Sequence, residues 1–297
     1  MPSESQLRTL STTLLNACKQ GSLATVRSTA PILYPSATPP TSSAVMPLSY
    51  ALATAARHGR ADVLKYMLTS LPACSTSRRP WSPLMDPSVS IDKAWEDARY
   101  SDLVIMRAVQ SSSTGVVQAL LDAGMHVDQE IDKVGTPLSL AIATQNVEMV
   151  RFLLGRGANA NGMEWLPPVT FLARAASFKS QQILLSLLDH GAKVHGSSAL
   201  YNAAEYGHID NVELLLARGA DLDELAMIDY GLKSRHNAGT ALHAAVENGQ
   251  TEIVQILLKR GAKTDIKDAE GKTARDLALE TECADIVRAF DEAAQQS

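Results

Sequence analysis

The chain has 297 residues, 45% of them hydrophobic and 20% charged, with a formal net charge of −5 and a pI near 5.8. That is enough apolar matter for a large core, and it excludes the broad basic field that drives binding to nucleic acid or to anionic membranes. Aromatic residues make up only 5%, so the core is expected to be built from Ala and Leu packed between short elements.

The start, Met1-Pro2-Ser3-Glu4-Ser5, is polar and leads into a short amphipathic stretch, and no apolar run approaches the length of a membrane span. Cys18, Cys74 and Cys283 lie far apart with no C-x-x-C pair. Neither a disulfide framework nor a cysteine zinc site is expected, nor any cofactor, and the chain reads as cytoplasmic or nuclear. Two Pro/Ser/Thr-rich stretches interrupt the first third. One runs from Pro31 to Pro47, overlapping an expected insertion at 28–46, and one from Pro72 to Pro83, within another at 72–97. Both are expected as loops because proline and serine break helices. Trp81 and Trp95 favour an ordered second loop.

From Thr136 onward the pattern sharpens. Leu138, Ala141 and Ile142, then Val147, Met149, Val150, Leu153 and Leu154, are two apolar stretches at helical spacing, separated by a polar turn at Gln145 and Asn146. This predicts a helix-turn-helix. Thr136-Pro137 opens it with proline in the first turn. Gly157 closes it where a left-handed cap is wanted, as do Gly124, Gly191, Gly219 and Gly261 in their own segments. A further insertion is expected at 228–235. The clearest copy follows it: Gly239-Thr240-Ala241-Leu242-His243-Ala244-Ala245, then Gly249, then Leu257-Leu258-Lys259-Arg260-Gly261-Ala262. Aligning the mid-unit turn gives Gly21, Gly59, Ser112, Gln145, Lys179, Gly207, Gly249 and Glu282, eight units within a single domain spanning 1–297. Such units cannot bury their apolar faces alone and must stack.

The T-x-L-H-x-A opening, mid-unit glycine and L-L-x-x-G-A closing resemble the ankyrin repeat. The resemblance implies an all-α helical-repeat solenoid with short β-hairpin or loop connections, and a noncatalytic module that binds another protein through its concave groove and hairpin tips. It also implies which residues face that groove. These are the hairpin residues and the two positions before each mid-unit turn, namely Lys19-Gln20, Arg57-His58, Gln110-Ser111, Ala143-Thr144, Ser177-Phe178, Glu205-Tyr206, Glu247-Asn248 and Glu280-Thr281. The first two pairs are basic and the last three carry glutamate. Candidate partner- or ligand-binding residues are therefore Arg57, His58, Tyr100, Trp165, Phe178, Tyr206, Glu247 and Asn248, with the aromatics gathered near the middle units. Tyr66 and Phe152, in second helices, are expected as core. His243 occupies the T-P-L-H position, where the family's histidine bonds backbone across the hairpin, and His208 is another structural position of the family.

No nucleotide-binding, hydrolase or zinc-protease motif occurs, and no histidines pair at metal-ligand spacing. An acid/base enzyme leaves little trace in sequence, so a second reading stays open: a cyclase- or isomerase-like enzyme, or a small-molecule binder, whose aromatic groove is capped by the insertions and takes a small apolar molecule. Its acid/base candidates are Asp102, His195, Tyr201 and Glu205, with Arg107 and Arg174 as anion stabilisers.

Overall fold

The computed structural model describes residues 2–35, 42–71, 101–132, 134–163, 169–229, 235–237, 239–281 and 283–296. They form two compact units, Met1–Ala158 and Asn159–Ser297.

The first unit contains α1 (Glu4–Gln20), α2 (Leu23–Leu33), α3 (Leu48–Arg57), α4 (Ala61–Ser70), α5 (Asp102–Gln110), α6 (Thr114–Asp122), α7 (Pro137–Ala143) and α8 (Val147–Gly155). Local chemistry sets their ends. Ser3 accepts the N–H of Gln6 while the Gln6 side chain accepts that of Ser3, which satisfies two orphan donors at the start of α1. Thr136 caps α7 through the N–H of Ser139, with Pro137 in the first turn. Consecutive helices pair across their turns, first helices α1, α3, α5 and α7 lie side by side, and second helices α2, α4, α6 and α8 do the same. Leu14, Leu52, Leu64, Ile105, Leu120 and Leu138 are fully buried between the rows. Each such side chain contributes roughly 1.5–3 kcal/mol through its apolar area.

Helix α2 is longer than the sequence suggests. Pro31 lies inside it, and the helix continues to Leu33. The ring costs the helix one bond, that to the Arg27 carbonyl, and the helix ends two residues later. Tyr34 is then buried and donates its hydroxyl to the Met46 carbonyl at 2.8 Å, while Ser11 donates to Ala44 at 3.1 Å. The stretch read as an insertion from 28 is therefore helix at its start and packed at its end. The region 72–97 lies outside the described residues.

The second unit contains α9 (Phe171–Ala176), α10 (Gln182–Asp189), α11 (Ala199–Glu205), α12 (Ile209–Ala217), β1 (Met227–Asp229), β2 (Arg235–Asn237), α13 (Ala241–Glu247), α14 (Thr251–Lys259), α15 (Ala274–Glu280) and α16 (Ala284–Gln296). First helices α9, α11, α13 and α15 again pack side by side, each against its own second helix. Within the insertion expected at 228–235, residues 230–234 lie outside the described residues. Their flanks form an antiparallel ladder in which Met227 faces Asn237 and Asp229 faces Arg235. Among the described residues the all-α stack thus carries one short β-ribbon, and isolated antiparallel bridges join Met163 with Thr170 and Lys267 with Thr273. Among the described residues, no helix is long and apolar enough to cross a membrane.

Turns are stitched from one repeat to the next. Arg60 donates to the Lys19 carbonyl (2.9 Å), Asn146 to the Ser112 hydroxyl (2.9 Å), and His208 Nε2 lies 3.0 Å from the Ser177 carbonyl. In each case the residue at the start of a second helix reaches the turn of the preceding pair. Backbone groups that a lone helix pair would leave to water are satisfied by its neighbour.

Candidate functional site

In the second unit the C-terminal ends of α11 and α13 present Glu205-Tyr206 and Glu247-Asn248. Tyr206 follows the last residue of α11, so its ring leaves the helix; it is 53% exposed and stacks on His208 with ring centroids 6.3 Å apart and planes 26° from parallel. His208 is itself held by the Ser177 carbonyl. The exposed tyrosine is therefore backed by an ordered ring. Asn248, one repeat on, bonds the Ala244 carbonyl at 3.0 Å and ends α13. Glu205 is half-buried, and loss of hydration raises its carboxyl above the usual range. Glu247 is also raised, first by desolvation and then by the negative charges of Asp268, Glu270 and Glu205, with Lys272 opposing. Lys272 pairs with Glu280 at 2.8 Å and Glu270 at 3.3 Å. Phe178 is half-buried.

The acid/base candidates do not gather. Asp102 and Arg107 belong to the first unit, whereas Arg174, His195, Tyr201 and Glu205 belong to the second. Asp102 accepts the backbone N–H of Asp132 at 3.2 Å, a bond that ties α5 to the loop before α7, although burial still raises its carboxyl. Arg107 donates to Gln110 at 3.0 Å, and Arg174 is half-buried. His195 is largely exposed and sits 3.7 Å from Glu224. Tyr201, an acid/base candidate at the position of the family's histidine, is buried at 7% exposure. The cavity beside it, lined by Val194, Leu200, Tyr201 and Glu224 among others, measures ≈ 10 Å³. That is about the space of one water.

In the first unit Arg57 and His58 are exposed at the end of α3. Tyr100 and Trp165 lie outside the described residues. Tyr66 and Phe152 are not core: Arg27 lies over the Tyr66 ring at 5.6 Å and Arg156 over the Phe152 ring at 5.1 Å, and both rings are only half-buried. His243, by contrast, is buried; its Nδ1 accepts the Thr240 N–H at 3.1 Å and its Nε2 lies 3.3 Å from the Lys272 carbonyl.

Sequence profiles for "Ankyrin repeats (3 copies)" match residues 90–164 and 166–226, and one for "Ankyrin repeats (many copies)" matches 227–278, together more than half of the chain. The chain belongs to the ankyrin-repeat family. It is 34% identical over 123 residues to the platypus (Ornithorhynchus anatinus) ankyrin repeat, SAM and basic leucine zipper domain-containing protein 1, which covers 39% of this chain and 26% of that protein. It is 31% identical over 129 residues to human (Homo sapiens) ankyrin repeat and SOCS box protein 11, covering 42% of this chain and 39% of the relative. The ankyrin chain thus matches between about a quarter and two fifths of these relatives' length. The crystal structure of an ankyrin repeat protein superposes with a TM-score of 0.53 at 30% identity, covering 65% of this chain and 98% of that one.

Two side chains that organise the ankyrin stack escaped the sequence reading. Asn211 in α12 is fully buried and donates from Nδ2 to the carbonyls of Ala176 (2.9 Å) and Phe178 (2.7 Å). It stands four residues after its turn, in the slot that holds Val63, Val116, Met149, Ile183 and Ile253 elsewhere, so a polar residue in an apolar column was the available signal. Glu224 accepts the N–H groups of Gly196 (2.8 Å) and Ser198 (2.9 Å), clamping the preceding loop. Nothing in the repeat pattern marks it.

Proposed function

We propose that this ankyrin-repeat chain is a noncatalytic protein-recognition module, holding its partner on the solvent-facing ends of the first helices and on the adjoining loop tips. Ankyrin repeats generally mediate protein–protein interactions. The observation that carries the reading here is Tyr206: a large amphipathic side chain left 53% exposed, backed by His208 and flanked by Glu205. Rigid aromatic side chains of this kind anchor interfaces because they offer wide contact area at little conformational cost. The acid/base alternative draws no such support, since Asp102 accepts a loop N–H, His195 is largely exposed and Tyr201 is buried.

The test is a random-peptide or protein display selection against the full chain, followed by titration of the selected binders against wild type, Tyr206→Ala and Glu247→Lys. Binders weakened by either substitution support the reading. A selection that returns no binder sensitive to any first-helix substitution overturns it.

A further inference from the structure

The first unit carries a face of different chemistry from the glutamate-bearing ends just described. On α3 the residues left out of the core are Ser49, Tyr50, Thr54 and Arg57, and on α5 they are Asp102, Leu103, Met106, Arg107 and Gln110. Tyr50, Thr54 and Arg57 recur at i, i+4 and i+7 and so form one stripe along α3; Leu103, Arg107 and Gln110 repeat it on α5. The helices pack side by side in register, because Tyr50 and Leu103 both stand nine residues before their mid-unit turns, Gly59 and Ser112. Tyr50 is 52% exposed and Leu103 38%. Next to them α1 adds Lys19, two residues before its turn just as Arg57 is before its own.

This stripe is cationic. Among the described residues Lys19, Arg57 and Arg107 form no ion pair; Arg107 bonds only the neutral amide of Gln110. Of the carboxylates on α1, α3 and α5, Glu4 stands at the start of α1, far along the helix from Lys19, and Asp102 is turned to the Asp132 N–H. Asp128, Glu130 and Asp132 lie in the loop before α7, which that bond joins to the start of α5. The chain as a whole is acidic, so the cations are local and not part of a general basic surface.

We infer that this face, α1 with α3 and α5, docks an acidic peptide segment of a partner protein that also carries a large apolar side chain. The proposal rests on the protein-recognition reading and names the partner's chemistry. The apolar side chain would cover Tyr50 and Leu103, removing exposed apolar area from water. Its carboxylates would meet Arg57 and Arg107, whose planar guanidinium groups accept bidentate pairing, and Lys19. Nucleic acid fits less well: three cations give weak phosphate neutralisation, and the exposed leucine and tyrosine are better matched by an apolar side chain.

The probes are two fluorescein-labelled 16-residue peptides, one alternating Asp/Glu with Leu and Trp and one with Lys/Arg in place of the acids, titrated by anisotropy against the full chain, alongside the display selection. The expected result is binding of the acidic peptide that falls at least tenfold in Arg57→Glu and in Tyr50→Ser, falls with added salt, and is unchanged in Glu213→Lys, an exposed residue of α12. Arg57 and Tyr50 are exposed, so both variants should keep the wild-type melting curve. No binding of the acidic peptide, tighter binding of the basic one or of an oligonucleotide, or binding indifferent to Arg57 and Tyr50 would each overturn the inference. If those results appear while selected binders still respond to Tyr206→Ala, recognition by the chain stands and only the acidic-segment assignment is lost. If selection also yields nothing sensitive to a first-helix substitution, both fail.

Discussion

Asn211 donates from its buried amide to the Phe178 carbonyl at 2.7 Å, across two consecutive repeats. The same amide holds the Ala176 carbonyl, and His208 meets that of Ser177, so three successive carbonyls of one turn are bound by the next repeat. Asn211→Leu keeps comparable bulk but strands two buried acceptors. It should lower stability by roughly 1–3 kcal/mol, the usual cost of unsatisfied buried groups. Denaturant unfolding measures the loss, and hydrogen exchange should show faster opening around 176–181 than around 145–149. Equal protection in both turns would mean the amide is not what holds the turn.

That turn also differs in backbone. Gly21, Gly59, Ser112, Gln145, Gly207 and Gly249 all have positive φ at the mid-unit position, but Lys179 does not. Gln145, at φ 53°, pays the strain of a left-handed non-glycine residue, so Gln145→Gly should raise stability by about 0.5–1 kcal/mol once glycine's larger unfolded-state freedom is counted. Lys179→Gly should give no gain. Gly207→Val and Gly249→Val should each cost roughly 1–3 kcal/mol. The two costs should be similar, because the Cβ of Gly207 would meet only the Gln250 amide, the far end of a flexible side chain that can swing aside, and that of Gly249 meets nothing. Thermal or urea unfolding of the four variants checks the order.

His243 supplies a pH dependence with a definite sign. Burial is the main force lowering its pKa, and its Nδ1 must stay unprotonated to accept the Thr240 N–H. In the folded state the ring therefore binds its proton at lower pH than in the unfolded chain. The stability tied to the neutral ring is present above the unfolded value of about 6.5 and is lost as pH falls toward the folded value. His243→Gln should lower stability at pH 7 and flatten the slope of unfolding free energy between about pH 6.5 and 5 relative to wild type. An unchanged slope would assign that dependence to the other histidines.

The repeat frame was legible because stacking imposes it on sequence. Glycine marks the turns that need positive φ, and Leu/Ala columns mark the surfaces that must be buried. What escaped was carried by single side chains acting across repeats. Asn211 looks like any polar residue in Ile209–Ala217 until its column is compared with Val116 and Met149. Lys179 falls into the alignment by count, yet its turn takes another conformation, without positive φ at that position. Pro31 misled because a proline removes one bond and need not end the helix at once, and Tyr201 because a large aromatic at a histidine's position can be buried. For the site, sequence named Glu205, Tyr206, Glu247 and Asn248, but which of them is exposed is decided by where each helix ends.

The last expectation concerns Tyr206, whose exposure makes recognition and folding separable. Since the ring lies beyond the end of α11 and touches His208 and not the core, Tyr206→Ala should leave the melting temperature within about 2 °C of wild type, as surface truncations usually do. Against a partner seated on this end of the second unit it should cost about 1–3 kcal/mol of binding free energy, expressed chiefly as faster dissociation. Glu247→Lys should act differently. Its carboxyl is crowded by Asp268, Glu270 and Glu205, so removing the charge should not destabilise the fold, while reversal should alter association rate and its dependence on salt. Surface plasmon resonance on both variants separates the two effects. If Tyr206→Ala instead unfolds the chain, the ring is a structural brace for His208 and the turn beneath it, and the recognition role passes to residues elsewhere on the stack.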